Sequence, residues 1–243
     1  MAQYRQPGNI DQKSDDTPLT QADRDAHEII QKSLVEFTPD IPVLSEEGED
    51  VPYKDRKDRH RFWLVDPLDG TKEFIKESGE FTVNIALIEN KIPILGVIYC
   101  PAKGYTYFAE KGRGAWYTES TPENAEKIHS TSPDPETPRI VASRDHKGPV
   151  VQKLVDNCPG AQLTNAGSSI KFCLIAHGKA DIYLRDVPTM EWDTGAAQII
   201  VEEAGGTLKM LDGQPLTYNK SSLKNPEIIT TGQNPLPWEK WIV

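Results

Sequence analysis

The sequence predicts a layered α+β fold, and three observations point there. Two apolar runs, residues 81–89 and 94–100, flank a Lys91-Ile92-Pro93 turn and read as an antiparallel hairpin. Helical spacing of apolar residues marks a long helix near the N-terminus, and a Gly/Ala-rich helix follows near the C-terminus. Strands and helices do not alternate as clean βαβ units, which argues against one parallel sheet.

Taken in order, residues 1–17 read as loop. Pro18-Leu19-Thr20 opens a helix to about residue 36, with Ala22, Ala26, Ile29, Ile30 and Leu34 at helical spacing. Residues 41–44 form a short strand running into Ser45-Glu46-Glu47, and 48–61 are charged and loop-like. A buried strand, 62–65, ends at Asp66. After the hairpin, 105–110 and 114–117 are further strands. The stretch 118–138 is rich in Ser, Thr, Pro and Glu, and marks the expected boundary between two lobes, 1–130 and 131–243. Beyond it come a strand at 139–143, helices near 149–158 and over 169–177, a strand at 180–184, and a helix over 194–204 closed by Gly205-Gly206.

Composition narrows the function. The net charge is −10 and no Lys/Arg block occurs, so the basic footprint of a nucleic-acid binder is absent. An acidic chain still binds an anion when metal ions turn its carboxylates into a cationic site. No apolar run is long enough to span a bilayer, and the polar start has no secretory apolar core. Cys100, Cys158 and Cys173 are widely spaced and odd in number, giving neither a disulfide framework nor a zinc spacing. A reducing, cytoplasmic setting is expected, with peripheral association at the inner membrane left open. No oligomeric state is specified.

The strongest signal is Asp66-Pro67-Leu68-Asp69-Gly70-Thr71-Lys72-Glu73-Phe74, directly after the apolar Trp63-Leu64-Val65. Pro67 fixes a turn that brings Asp69 back beside Asp66. Two carboxylates on such a turn can share divalent cations, with the Leu68 carbonyl joining them. Gly70-Thr71 then starts a helix whose free N–H groups can cradle a phosphate. The plain alternative is an Asp-Pro turn followed by an N-cap, but so many fixed positions seldom match by chance. Ser45-Glu46-Glu47, Glu191-Trp192-Asp193-Thr194 and Thr20-Gln21-Ala22-Asp23 are weaker. Alone they read as solvated surface, an N-cap and a helical first turn. Together with the Asp66–Thr71 turn they make one proposal, carboxylates from distant segments converging on metal for phosphoryl transfer.

The string from Trp63 to Phe74, with Ser45-Glu46-Glu47 before it and Trp192-Asp193-Thr194 after it, resembles the inositol monophosphatase superfamily of lithium-sensitive, magnesium-dependent phosphatases. Four stretches resemble its bacterial 3′(2′),5′-bisphosphate nucleotidase branch: the run from Lys13 to Asp23, Ser143-Arg144-Asp145-His146, Gly167-Ser168-Ser169-Ile170-Lys171-Phe172 and Tyr183-Leu184-Arg185. The resemblance implies an α-β-α-β-α sandwich of the sugar/inositol phosphatase type, with the site between two lobes. It implies Mg²⁺, two to three ions, held by Glu46, Asp66, the Leu68 carbonyl, Asp69 and Asp193. Asp23 and Thr71 would position and deprotonate the attacking water. Gly70 and Thr71 amides would hold the cleaved phosphate, and Asp193 also faces the substrate. Ser168, Lys171 and Arg185 would contact the nucleotide, and His146 would flank its base. Relatives begin with an amphipathic helix ahead of the Lys13 region, whereas this chain starts almost at the loop after it, so that first helix is expected to be missing.

The expected activity is hydrolysis of the 3′-phosphate of adenosine 3′,5′-bisphosphate, giving AMP and phosphate. An inositol or sugar phosphatase with the same metal core is the nearest alternative. A catalytically dead, nucleotide-binding regulator is the alternative from another class.

Overall fold

The structure, a computed structural model, describes residues 1, 4, 10–12, 18–144 and 148–243. Strands β1 (Ile10–Gln12) and β2 (Pro18–Thr20) pair as a short hairpin that leads into helix α1 (Gln21–Phe37). Pro18 therefore lies in a strand, not at the helix start. Thr20 sets the boundary because it caps α1: its hydroxyl oxygen accepts from the Ala22 N–H at 3.2 Å, while Asp23 reaches back to the Thr20 amide at 2.8 Å.

Strands β3 (Val43–Ser45) and β4 (Arg61–Asp69) pair in parallel, with a one-turn helix, α2 (Tyr53–Arg56), in the charged link between them. Helix α3 (Thr71–Ile75) then leads to β5 (Thr82–Glu89), β6 (Ile92–Cys100), β7 (Tyr105–Glu110), β8 (Gly114–Thr118) and β9 (Glu126–Ile128). These complete a seven-stranded sheet of order β3-β4-β5-β6-β7-β8-β9, antiparallel after the first pair. The β5–β6 turn sits at Asn90-Lys91, one position before the sequence expectation. Both residues have positive φ, 49° and 68°, as a two-residue hairpin turn requires. Pro93 belongs to β6 and stands at a register shift, where its missing N–H does little harm.

Strands β10 (Arg139–Ala142), β11 (Gln162–Asn165), β12 (Ile182–Arg185), β13 (Thr207–Met210) and β14 (Ile228–Thr231) build a second sheet of order β11-β10-β12-β14-β13. It is parallel across β11, β10 and β12 and antiparallel beyond. The sequence pattern missed β11 and β14 for opposite reasons: every residue of β11 is exposed and every residue of β14 is buried, so neither alternates.

Helices α4 (Pro149–Asn157), α5 (Ile170–Ala176) and α6 (Glu191–Glu203) complete the layers. Helix α6 packs on β4 to β8 and reaches β13, while α5 packs on β10, β12 and β14, so both lie between the sheets. The approach is close at Gly96 of β6, where a Cβ would come within 2.5 Å of Ile199 and 2.6 Å of the Ala196 oxygen. Successive strand residues face opposite sides. Leu64 of β4 meets α6 at Gly195, whereas its neighbour Trp63 hydrogen-bonds Thr38 at the end of α1, so α1 covers the other face. In β10, Val141 joins the core between the sheets, while Ile140 and Ala142 join a separate cluster with Leu154 of α4 and Trp238. The order is α-β-α-β-α. Among the described residues, no helix is long and apolar enough to cross a membrane. All three cysteines are free and buried.

Candidate active site

The edge of this sandwich gathers polar residues that a core would otherwise exclude. The strand expected to end at Asp66 runs on to Asp69. Asp66 lies within β4, buried, and its Oδ1 accepts from the Leu68 N–H at 3.0 Å, which bends the strand between Asp66 and Asp69. The β4–β5 register shifts between Asp66 and Asp69, so both carboxylates lie at the same end of the strand. Asp69 Oδ2 accepts from the Ser169 hydroxyl at 2.8 Å, and Ser169 in turn accepts from Asn84 Nδ2 at 2.9 Å. Gly70 follows with φ 92°, the left-handed conformation that lets α3 start at Thr71.

Glu46 continues β3, its N–H donating to Val65 at 3.0 Å, which sets its side chain beside Asp66. Asp193 belongs to the first turn of α6, and its Oδ2 accepts from the Met190 N–H at 2.8 Å. The sequence pattern starts this helix at residue 194; it starts at Glu191, with Asp193 as the capping acid. One carboxylate oxygen from each of Glu46, Asp66 and Asp193 lies within 4.8 Å of the other two.

Electrostatics make this cluster costly on its own. Burial first, then the charges of Glu46, Asp69 and Asp193, pushes the Asp66 carboxyl well above the usual range. Asp193 is raised likewise, by burial and by Asp69 and Glu46. Converging hard oxygens, two of them held by backbone amides at Asp66 and Asp193, are the donor set that suits a divalent ion such as Mg²⁺. The residues present fit the group.

Asp23 sits one step away, buried at the start of α1. Its Oδ2 accepts from the Thr20 amide and hydroxyl, and its Oδ1 accepts from the Thr71 hydroxyl at 3.1 Å. On the second sheet's side, Lys171 of α5 is buried; its Nζ donates to the Ser168 carbonyl at 2.5 Å and lies 5.4 Å from the centre of the Tyr183 ring. Burial lowers its pKa to about 8, with Asp69 opposing and Arg185 adding to the shift. Arg185 ends β12, its Nε donating to Val187 at 3.1 Å. Ser168 has φ 43°, and its Oγ is buried with no hydrogen-bond partner among the described residues.

One cleft is lined by Glu46, Asp66, Leu68, Asp69, Gly70, Thr71, Ser168, Lys171, Arg185 and Asp193. Asp23 reaches it through Thr71. His146 lies outside the described residues. Ser169 and Asn84 escape the sequence reading. An adjacent Ser168-Ser169 pair does not reveal which hydroxyl turns to Asp69, and Asn84 is one polar residue in an apolar strand, 15 positions from that carboxylate.

A five-layer sandwich with a carboxylate cluster at its edge and basic residues in the same cleft defines a metal-dependent phosphatase. The chain belongs to the inositol monophosphatase family, whose model matches residues 1–235. It is 43% identical over 222 residues to the 3′(2′),5′-bisphosphate nucleotidase CysQ of Escherichia coli strain K12, covering 90% of this chain and 87% of that protein. Identity to the protein of the same name from Salmonella typhimurium is 44%, with the same coverage. The crystal structure of CysQ from Bacteroides thetaiotaomicron matches with TM-score 0.82 at 42% identity, over 91% of this chain and 87% of that one.

Proposed function

We propose that this protein hydrolyses the 3′-phosphate of adenosine 3′,5′-bisphosphate, releasing AMP and inorganic phosphate. The observation that carries the reading is the double character of the cleft. A carboxylate cluster around the buried Asp66 shares it with the cations Lys171 and Arg185. A substrate with one phosphate needs only the first set; one with a second, uncleaved phosphate uses both. Likeness to the CysQ proteins supports the same substrate.

Glu46, Asp66, the Leu68 carbonyl, Asp69 and Asp193 would hold two to three Mg²⁺ ions. Magnesium bound there neutralises phosphate oxygens and lowers the pKa of water. The chain's own groups do the positioning and the proton handling. Thr71 points its hydroxyl hydrogen at Asp23 Oδ1, leaving its oxygen lone pairs to accept a proton from water while its own moves to Asp23. Gly70 and Thr71 amides orient the phosphate that leaves. Lys171, Arg185 and the buried Ser168 hydroxyl receive the other phosphate; the role of flanking the base is assigned to His146 by the family resemblance alone.

Residues 1–130 act as the lobe carrying the main metal site, and 131–243 as the lobe carrying the nucleotide contacts and the last metal ligand. The two sheets, Val43–Ser45 to Glu126–Ile128 and Arg139–Ala142 to Ile228–Thr231, support that division. A cytoplasmic location is supported by the free, buried cysteines.

The test is phosphate release with magnesium from adenosine 3′,5′-bisphosphate, inositol 1-phosphate and fructose 1,6-bisphosphate. Strong preference for the nucleotide is expected. Preference for either other compound would leave the carboxylate core and discard the nucleotide pocket. Nucleotide-induced thermal stabilisation with no phosphate release would mark a binding regulator instead.

A further inference from the structure

Glu80 stands between the two turns that build the cleft, and no step of the proposed reaction uses it. Its main-chain oxygen approaches both turns. A Cβ on Gly70 would lie 3.3 Å from it, and one on Gly167 only 2.7 Å. Backbone that close admits no side chain at position 167. The Glu80 carboxylate then closes the contact. Its Oε2 accepts from the Gly167 N–H at 2.9 Å, and its Oε1 accepts from Arg144 at 3.2 Å. Lys103 Nζ lies 3.9 Å from the same oxygen. Two half-exposed cations thus flank a carboxylate that is only 14% exposed.

Gly167 precedes Ser168, whose φ of 43° is uncommon for a residue with a Cβ. Such a conformation persists only where its surroundings over-determine it. Here it is held from both sides. Glu80 anchors the amide just before Ser168, and Lys171 anchors the Ser168 carbonyl. The outcome is a buried Ser168 hydroxyl with no partner among the described residues, in a turn that lines the cleft.

We propose that Glu80 is a positioning residue: its carboxylate clasps the Gly167–Ser168 turn, and so presents Ser168 and Lys171 to the phosphate that is not cleaved. Arg144 and Lys103 hold the carboxylate in place, and Glu80 itself touches no substrate. The role rests on the bisphosphate reading of the cleft.

The experiment compares Glu80→Ala, Glu80→Asp and Glu80→Gln with the unchanged protein. The substrates are adenosine 3′,5′-bisphosphate and adenosine 3′-monophosphate, which lacks the second phosphate. Loss of one charge-assisted hydrogen bond should raise KM for the bisphosphate about ten-fold in Glu80→Ala, with kcat within about three-fold. Turnover of the monophosphate should stay within about three-fold on the same reasoning. Glu80→Asp keeps the charge but is too short to reach Gly167, and should reproduce the KM rise even if the alanine variant does not fold. Glu80→Gln keeps an acceptor at the right reach and should recover most of the affinity. Unchanged KM in Glu80→Asp, or equal losses on both substrates, would overturn the clasp. Hydrogen exchange at the Gly167 amide decides it independently of substrate: faster exchange in Glu80→Asp supports the clasp, and unaltered exchange sinks it. Should the unchanged protein ignore the bisphosphate, the pocket reading falls alone, and that exchange rate still judges Glu80.

Discussion

Thr71 donates its hydroxyl hydrogen to Asp23 at 3.1 Å, joining residues 48 positions apart in the chain. Asp23 serves two purposes with its two oxygens. One completes the cap of α1, and the other faces Thr71. Replacing Thr71 by Ala should therefore lower kcat by about 10²–10⁴-fold, the usual worth of a general acid–base relay. Thr71→Ser restores the hydroxyl and should retain most of the rate. A fully active alanine variant in a phosphate-release assay would remove Thr71 from the proton path.

Asp66 links metal binding to stability. Its folded pKa lies above the unfolded value, because burial and neighbouring carboxylates disfavour its charge. The sign follows: without metal, protonation stabilises the fold, and that contribution is lost as pH rises through the folded pKa. Asp66→Asn removes the repelled charge, so the metal-free variant should melt about 2–4 °C higher, the shift expected of roughly 1 kcal/mol in a chain this size. The same variant should lose both the stabilisation by magnesium and the activity. Thermal scans with and without magnesium check this, and a preserved magnesium shift would take Asp66 off the ligand set.

Arg185 tests the second phosphate. It shares the cleft with the carboxylates, and its Nε donates to the Val187 carbonyl at 3.1 Å. Arg185→Ala should cost about 10–100-fold in kcat/KM for adenosine 3′,5′-bisphosphate, in line with a charged hydrogen bond, and far less for a monophosphate. Equal losses on both substrates would contradict the assignment.

Lys171 imposes a pH limit. Its pKa is lowered to about 8 by burial, with Asp69 opposing and Arg185 contributing. Above that pH its ammonium is lost, so KM for the bisphosphate should climb from about pH 8 upward. Stability moves the other way. The native state sheds this proton before the unfolded chain does, so folding gains as pH rises between about 8 and 10.4. Lys171→Met should remove the step in KM. A step that survives in Lys171→Met belongs to another group.

Gly96 tests the sandwich itself. A Cβ there would press on Ile199 and on the Ala196 backbone of α6. Gly96→Ala should destabilise by about 1–3 kcal/mol, as overpacking does, measured by denaturant unfolding. Because α6 also carries Asp193, activity should fall with it.

Much of this architecture was legible in the chain. The apolar run through Thr82–Glu89 reads directly as a strand, although its most buried face carries Thr82 and Asn84, and helical spacing announces α1. Strands β11 and β14 were not legible, since full exposure and full burial both erase alternation. The turn at Asn90-Lys91 is displaced from the sequence expectation because Pro93 is the louder local signal; Asn90 suits a positive φ, whereas Lys91 takes one because the β5–β6 pairing demands it.

The local chemistry of the candidate site was written in Asp66-Pro67-Leu68-Asp69-Gly70-Thr71, because a turn is built by neighbours in sequence. Its partners were not. Glu46 and Asp193 are brought within 4.8 Å of Asp66 by β3–β4 pairing and by α6 packed between two sheets. Ser169 and Glu80 owe their places to contacts across 100 and 87 positions. What short-range geometry dictates, the sequence determined alone; which distant carboxylates and hydroxyls share one cleft was decided by long-range packing, whose energy is stored in no single segment.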